Sequence, residues 1–290
     1  MAIQISHTFK HTPSGAGIYY GWFEAMHSRF DLLAIGIEED LGEALCHKVA
    51  EETLRLEKRL NRFDEESDIW QLNHLDNYDC YAADPELIAI FSEALRYREM
   101  TAGAFDIAVQ TPDYRIETPC FAVDASCESI IKTRPDAIAD FGGFGKGYAL
   151  ERARKTVVGA GVPSALLSFG NSSVCGIGLH PSGKKWQIGV ENPMHRGTTM
   201  NLFDLQNESL SSSGNLPYNR GHIRSTRTGE PIETNRIVSV VSPSPIECEI
   251  LSTALFAADA EQQEAIRNNF PHLQATGMDF SSSGYTVHKL

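Results

Sequence analysis

The sequence predicts a mixed α/β, or α+β, protein, because amphipathic helical segments are interspersed with strand-like segments in an irregular order rather than in a strict βαβ repeat. No internal repeat, low-complexity tract or flexible linker divides the chain. We therefore expect residues 1–290 to form a single unit, or two intimately joined lobes. Residues 1–20 are expected to form an irregular N-terminal segment.

Two long helices are predicted in the first half, after a strand over residues 30–37. The first helix covers residues 38–63, where leucine and valine recur near helical spacing. The second begins at Pro85, since proline is favoured in the first turn of a helix, and runs to about Thr101. A third helix ends at Gly159.

The second half is richer in strands, and a last helix begins near Ile246. Over the whole chain, further strands are predicted at residues 120–124, 137–140, 165–169, 186–190, 199–205 and 237–242.

Composition limits the possible partners. The 290 residues are 42% hydrophobic, enough for a sizeable core. The net charge of −13 argues against nucleic acid and anionic membranes as principal partners. The six cysteines show neither a C-x-x-C pair nor zinc spacing, so reduced or buried thiols are favoured over disulfides.

The N-terminus has no basic segment followed by an apolar one, and no apolar run is long enough to span a membrane. The chain as written is therefore expected to be cytoplasmic, or exported if a leader has been removed.

The most informative segment is Asp-Phe-Gly-Gly-Phe-Gly-Lys-Gly-Tyr at residues 140–148, which opens onto the third helix. Glycines allow the backbone to approach a ligand closely, and a helix N-terminus favours anions. Lys146 adds a point charge for phosphate. The segment matches neither common nucleotide-binding fingerprint, so it predicts either a site for a phosphorylated ligand or an ordinary glycine-rich turn.

Three other segments carry candidate chemistry. Phe105 and Asp106 follow Gly103, which is expected to cap the end of the second helix. The phenyl ring could stack on a ligand ring, and the carboxylate could accept hydrogen bonds from that ring's N–H groups. Glu249 and Thr253 lie one helical turn apart, a donor pair suited to Mg²⁺ together with substrate phosphates. His222 has the chemistry of a general base for a hydroxyl nucleophile. Each has an ordinary alternative: a helix cap, a solvated glutamate with a threonine bonded to its own helix, and a surface histidine.

Together and in this order, these segments resemble the ApbE-like family, the FAD:protein FMN transferases. The family's Gly-Ala-Phe-Asp is intact at residues 103–106, and its Asp-Leu-Gly-Gly-Ile-Ala-Lys-Gly-Tyr-Ala is closely similar to residues 140–149. The likeness extends from Met26 to about Asp259. Its other similar segments are residues 26–28, 63–73, 186–193, 213–214, 222–229 and 248–256.

The resemblance implies a fold of mostly antiparallel sheets flanked by helices. It implies FAD as substrate, Mg²⁺ as cofactor, and an acceptor protein whose threonine or serine hydroxyl receives FMN with release of AMP. The metal ligands would be the Gly143 carbonyl, the Glu249 carboxylate and the Thr253 hydroxyl. His222 would be the base or would organise the flavin phosphate. The residues implied to bind FAD are Met26, Phe63, Ala104, Phe105, Asp106, Asp140, Lys146 and Ile223.

Several residues depart from the family pattern. Glu249 stands where the family usually has aspartate, and Ser225 with Thr226 replaces an Asp-Pro pair after the histidine. Arg224 adds a cation to the same turn, and His27 replaces a glycine. Two alternatives therefore stay open: an FAD-binding protein with weak or no transferase activity, and an FAD pyrophosphatase that yields FMN and AMP.

Overall fold

The computed structural model describes residues 3–13, 15–76, 80–215 and 221–290. Its largest element is a nine-stranded sheet in which every neighbouring pair is antiparallel. In spatial order its strands are β1 (Ser6–His11), β2 (Gly17–Ala25), β3 (Ser28–Ile35), β7 (Ser164–Phe169), β8 (Ser173–Ile177), β11 (Glu208–Gly214), β12 (Arg236–Ser242), β13 (Gln274–Ser281) and β14 (Gly284–Lys289).

Two smaller antiparallel sheets accompany the large one. The first contains β4 (Cys80–Ala82), β6 (Ser129–Lys132) and β5 (Phe121–Asp124). The second is the hairpin of β9 (Trp186–Glu191) and β10 (Thr199–Leu205). The helices are α1 (Glu39–Leu60), α2 (Asp68–Asn73), α3 (Pro85–Met100), α4 (Gly145–Gly159), α5 (Pro245–Ala257) and α6 (Ala260–Asn269). The predicted α+β class is confirmed.

The main core lies between the large sheet and the helices α1, α4 and α5. Helix α1 contacts β2, α4 contacts β7 and β8, and α5 contacts β11 and β12. Phe23, Phe30 and Phe169 are buried on this inner face. The opposite, outer face is partly covered by the β9–β10 hairpin, whose Trp186 and Leu205 pack in a second apolar cluster. The sheet therefore has a helical side and a hairpin side.

The expectation that residues 1–20 form an irregular segment was wrong. Apart from Met1, Ala2 and Ser14, which lie outside the described residues, the segment 1–20 is not irregular: it contains β1 and the start of β2 in full antiparallel register. The polar composition of β1 is that of an edge strand, and only its pairing with β2 identifies it as a strand.

The strand expected at residues 137–140 is also absent. This segment is held by single hydrogen bonds instead of a strand ladder. The Asn73 side-chain amide donates to the Ala139 carbonyl and accepts from the Ala139 N–H, and the Asp140 N–H donates to the Ile107 carbonyl at 2.8 Å. A side chain satisfies the backbone groups that a neighbouring strand would otherwise pair. The strand of this region is β6, a few residues earlier.

The β2–β3 turn has an unusual backbone. Met26 and His27 have φ angles of 49° and 56°, so both central residues of this two-residue hairpin are left-handed. Turns of this kind favour glycine, which accounts for the glycine expected where this chain has His27. Within the described residues, no helix is both long and apolar enough to cross a membrane.

Candidate active site

A cleft of about 960 Å³ opens beside the N-terminus of α4. It is lined by the segments after α3 and before α4, the β7–β8 turn, β9, the end of β11, residues 222–224 and 226, and one face of α5. The fold brings most of the sequence-predicted site residues to this cleft. They are Ala104, Phe105, Asp106, Asp140, Gly143, Lys146, His222, Ile223, Glu249 and Thr253.

Met26 and Phe63 line a smaller neighbouring cavity of about 180 Å³ instead. Asp140, Gly142 and Lys146 line both spaces, so the glycine-rich loop is the wall between them. Phe63 is 74% exposed, and the Arg62 guanidinium lies 4.4 Å from the centre of its ring. An exposed aromatic ring beside the loop can stack on a planar group.

Lys146 and Glu249 meet where α4 crosses α5. The Lys146 Nζ lies 2.8 Å from Glu249 Oε1, and the glutamate side chain is only 5% exposed. Gly147 makes this approach possible, because a Cβ there would lie 2.7 Å from the Glu249 Cβ and 2.9 Å from the Pro245 carbonyl oxygen. Gly147 therefore allows α4 to pack closely against α5, in addition to the close approach of the loop backbone to a ligand that the glycines permit.

A chain of hydroxyl groups surrounds the other carboxylate oxygen of Glu249. The hydroxyls of Ser173 and Ser211 both donate to Oε2, the second at 3.0 Å. Ser252 bonds to Ser211, and Ser213 bridges Ser252 to the Thr253 hydroxyl, with both Ser213 contacts at 2.9 Å. Hydrogen bonds therefore connect the Glu249 carboxylate to the Thr253 hydroxyl.

This environment keeps Glu249 ionised. Burial by itself raises the pKa of the carboxyl, but the Lys146 ammonium and the donated hydroxyls of Ser173 and Ser211 outweigh it and lower the pKa below its ordinary value. A buried carboxylate that remains charged can bind a cation.

The donor set fits a hard cation such as Mg²⁺. Glu249 and Thr253 share one face of α5, and a Cβ on Gly143 would lie 3.6 Å from the Thr253 Oγ1, so the loop backbone is close to the hydroxyl. One carboxylate, one hydroxyl and one carbonyl are oxygen ligands of the type Mg²⁺ takes together with phosphates and water. The described residues contain no group of three or more His, Cys, Asp or Glu suited to a metal.

Asp106 and Asp140 are anchored by the protein. Asp106 accepts from the Arg98 Nε at 2.5 Å, from the Tyr114 hydroxyl at 2.7 Å and from the Ala108 N–H at 2.8 Å. Its carboxylate therefore fixes the turn that presents Ala104 and Phe105.

Asp140 accepts from the Gly142 N–H at 2.8 Å and lies 3.1 Å from the Arg62 Nε. Both of its carboxylate oxygens are thus used within the loop and its neighbour. Arg62 links the loop to the exposed Phe63 ring.

His222 lies on the rim of the cleft and is exposed. The turn that carries His222 is stabilised by two internal hydrogen bonds. The Arg224 guanidinium donates to the Gly229 carbonyl at 2.8 Å, and the Ile232 N–H donates to the Ile223 carbonyl. Arg224 also lines the cleft. Thr226 is buried and bonds to Gln262 of α6.

Sequence reasoning did not identify Ser173, Ser211 or Arg62 as site residues. Ser173 and Ser211 face each other in the β8–β11 register, a pairing that spacing along the chain does not reveal. Alternate serines in residues 209–213 would have indicated one polar face of a strand. Arg62 was overlooked because an arginine at a helix end is ordinarily a solvated residue.

The structure is similar to solved proteins over nearly its whole length. It superposes on the flavin transferase ApbE from Vibrio cholerae with a TM-score of 0.78, 16% sequence identity, and coverage of 99% of this chain and 97% of the other. The ApbE protein from Thermotoga maritima MSB8 gives a TM-score of 0.79 at 21% identity, with 94% and 96% of the two chains covered. These neighbours place the chain in the ApbE fold class.

The sequence supports the same assignment. The ApbE family model matches residues 26–276. A relative from Klebsiella pneumoniae (strain 342), named FAD:protein FMN transferase, is 24% identical over 271 residues, which covers 80% of this chain and 76% of the relative. The chain belongs to the ApbE family, as the resemblance of its motifs predicts.

Proposed function

We propose that this protein transfers FMN from FAD to a threonine or serine hydroxyl of an acceptor protein and releases AMP. The observation that carries the proposal is the convergence on one cleft of the α4 N-terminus with Lys146, the Glu249–Thr253 face of α5, and His222. Anion-binding backbone, a buried ionised carboxylate and an exposed imidazole are the groups that phosphoryl transfer from a pyrophosphate needs.

FAD would extend across both cavities. Its rings would contact Phe63 and Met26 in the smaller one and Ala104, Phe105 and Ile223 in the cleft, with the pyrophosphate at the glycine-rich loop between them. Because the carboxylates of Asp106 and Asp140 are already bonded within the protein, these two residues would shape the site more than they would bind the ligand through side-chain oxygens.

Mg²⁺ would be held by the Gly143 carbonyl, the Glu249 carboxylate and the Thr253 hydroxyl. Such an ion would neutralise the charge that develops on the phosphoryl oxygens and the leaving group. The Lys146 ammonium contacts one oxygen of the same carboxylate, so lysine and metal would compete for Glu249 until the phosphates of FAD attract the lysine.

His222 would accept the proton of the acceptor hydroxyl. The hydroxyl oxygen forms a bond to the FMN-side phosphorus, the bond from that phosphorus to the bridging oxygen breaks, and AMP leaves with that oxygen. Ser225 stands where the family's aspartate would lie, and the Arg224 guanidinium donates to the Gly229 carbonyl.

The test uses purified protein with FAD, MgCl₂ and a pool of short synthetic peptides that each contain one threonine. A gain on a peptide of the mass of FMN less one water, with equimolar AMP, supports transfer. A matched pool with valine for threonine should stay unlabelled. Free FMN with AMP would instead indicate the pyrophosphatase, and absence of FAD binding would contradict the proposal altogether.

One observation favours a second candidate, an FAD-binding protein with weak transfer. The Glu249 carboxylate is fully engaged by Lys146, Ser173 and Ser211, and a metal ion must displace part of this arrangement. Tight FAD binding without AMP release at saturating MgCl₂ would support this candidate.

A further inference from the structure

Strand β9 has one unpaired edge. Within the part of the chain that the structure describes, β9 pairs only with β10, in a two-stranded sheet. An antiparallel strand directs alternate N–H and C=O groups to its two sides, so half of the β9 backbone groups point away from β10. Such an edge is a template for an added strand.

The residues of β9 line three successive cavities. Trp186 borders one of about 400 Å³, and Trp186 with Gln187 borders a second of about 760 Å³. The rest of the strand, residues 188–191, lines the active-site cleft. Leu166 of β7 lines both the second cavity and the cleft, so the three spaces form one groove that ends at the catalytic residues.

The floor of this groove is apolar. It is the outer face of β2, β3 and β7, where the hairpin does not cover the sheet. The side chains of Ile18, Tyr20, Leu33 and Leu166 are only half-buried there. Alternate side chains of an extended segment could pack on this floor while its backbone pairs with β9.

Lysines outnumber carboxylates in the lining of the first two of these cavities. Lys10, Lys184 and Lys185 are exposed on their walls, and none of the three forms an ion pair with another described residue. Asp204 is the acid beside Lys184 and Lys185 in the second cavity. Unpaired lysines on a chain of net charge −13 mark a local surface that is complementary to acidic residues.

We propose that an extended, acidic segment of the acceptor protein lies along β9 as the third strand of the β9–β10 hairpin. The inference rests on the proposed function, because it identifies how the acceptor hydroxyl reaches the cleft. The six residues of β9 span about 20 Å, so a segment paired from Trp186 onwards delivers its threonine or serine to the cleft at Glu191. Side chains need only be apolar toward the floor and acidic toward the lysines.

The first experiment measures hydrogen exchange in the FAD-bound protein. The probe is a synthetic peptide that alternates valine and glutamate around one central threonine. We expect saturating peptide to slow exchange of the amides of residues 187–191. Two further versions of the peptide are N-methylated at its even or at its odd positions. Each keeps all side chains but loses the N–H donors along one edge of the peptide, and only the version that keeps the edge facing β9 should still protect residues 187–191. Equal protection by both versions, or no change at residues 187–191, would overturn the proposal.

The second experiment reverses the charge of Lys184 and Lys185. In Lys184→Glu/Lys185→Glu we expect the KM for the peptide in FMN transfer to rise on the order of tenfold, with kcat and FAD affinity unchanged. Lys48→Glu/Lys289→Glu, which alters two exposed lysines outside the groove by the same net charge, is the matched control. An equal effect in the control pair would show that net charge, and not the groove, is responsible.

The two proposals fail in different ways. If no peptide is labelled and no AMP forms, the transferase proposal fails, while hydrogen exchange still decides whether β9 binds the peptide. If peptides are labelled but residues 187–191 stay unprotected, transfer holds and the β9 site is wrong. Dimerisation through β9, visible as protection of residues 187–191 that rises with protein concentration in the absence of peptide, would assign the edge to a second copy of the chain.

Discussion

Glu249 differs by one methylene group from the aspartate that the resemblance leads one to expect. Its carboxylate reaches Lys146 on one side and Ser173 and Ser211 on the other. A buried ion pair of this kind is stable only when further hydrogen bonds satisfy the remaining oxygens, and the two serines provide them. Glu249 therefore stabilises the fold at the same point where it would bind a metal.

Glu249→Gln should lower the free energy of unfolding by about 3 kcal/mol at neutral pH, because the amide leaves Lys146 without its charge partner. The pKa of Glu249 is lowered in the folded state, so its contribution to stability is present above the unfolded pKa and is lost as pH falls through the folded value. Urea unfolding from pH 7 to pH 3 should show the gap between variant and wild type closing. Glu247→Gln in the same helix is the control, and a pH-independent gap for Glu249→Gln would contradict the ion-pair account.

Lys146→Met should strengthen Mg²⁺ binding in the absence of FAD. Removing the ammonium eliminates the cation that competes for Glu249, and we expect the Kd for Mg²⁺ measured by calorimetry to fall on the order of tenfold. The double variant with Glu249→Gln should lose this gain. Unchanged Mg²⁺ affinity in Lys146→Met would show that the lysine and the metal do not share the carboxylate.

At the scale of elements, the crossing of α4 over α5 depends on a missing side chain. Gly147→Ala would place a methyl group within 3 Å of the Glu249 Cβ and the Pro245 carbonyl oxygen. We expect a loss of about 1–3 kcal/mol in unfolding free energy and weaker FAD binding, since α5 must move away from the loop. Gly159→Ala at the other end of α4 meets nothing within 4 Å and should be neutral or stabilising by up to about 1 kcal/mol. Equal effects of the two substitutions in urea unfolding would refute the close-contact argument.

The β2–β3 turn gives a prediction of the opposite sign. His27 has a φ of 56°, a conformation that costs an L-residue roughly 1 kcal/mol and costs glycine little. His27→Gly should therefore raise the unfolding free energy by about 0.5–1 kcal/mol, and His27→Ala should not. If the two variants have the same midpoint in urea, the turn is not the source of strain.

The parts of the fold and of the site that depend on neighbouring residues could be predicted from the sequence, whereas the parts that depend on contacts between distant residues could not. Helices α1, α3 and α4 were predicted to within a few residues, because their apolar spacing, Pro85 and the glycine loop are local signals. Strands β8 and β11 were not predicted. The alternate serines of β11 are a local sign of a polar strand face, but only the cross-strand register shows that Ser211 lies opposite Ser173. The same holds for the site: the motifs supplied the residues that line the cleft, whereas the ion pair of Lys146 with Glu249 joins residues 103 positions apart.

At the scale of the whole molecule, the cleft is assembled from segments that are distant in sequence. Residues near positions 104, 140, 170, 190, 213, 223 and 250 all line it. The smaller cavity adds Met26 from the β2–β3 turn and Phe63 from the segment after α1. A ligand that contacts all of these segments stabilises the folded state as a whole, because unfolding of any one of them destroys part of the site.

FAD should therefore raise the thermal midpoint more than FMN or AMP does alone. At a concentration of 100 times its Kd, FAD contributes about 2.7 kcal/mol, which corresponds to roughly 5 °C for a chain of this size. FMN and AMP added together at the same concentration should give less than FAD, because each fragment loses its own freedom of motion on binding. Phe63→Ala should reduce the shift with FAD while leaving the midpoint of the ligand-free protein unchanged, since its ring is largely exposed. An FMN shift as large as that of FAD would mean that the adenylate half lies outside both cavities, and that the glycine-rich loop does not hold the pyrophosphate between them.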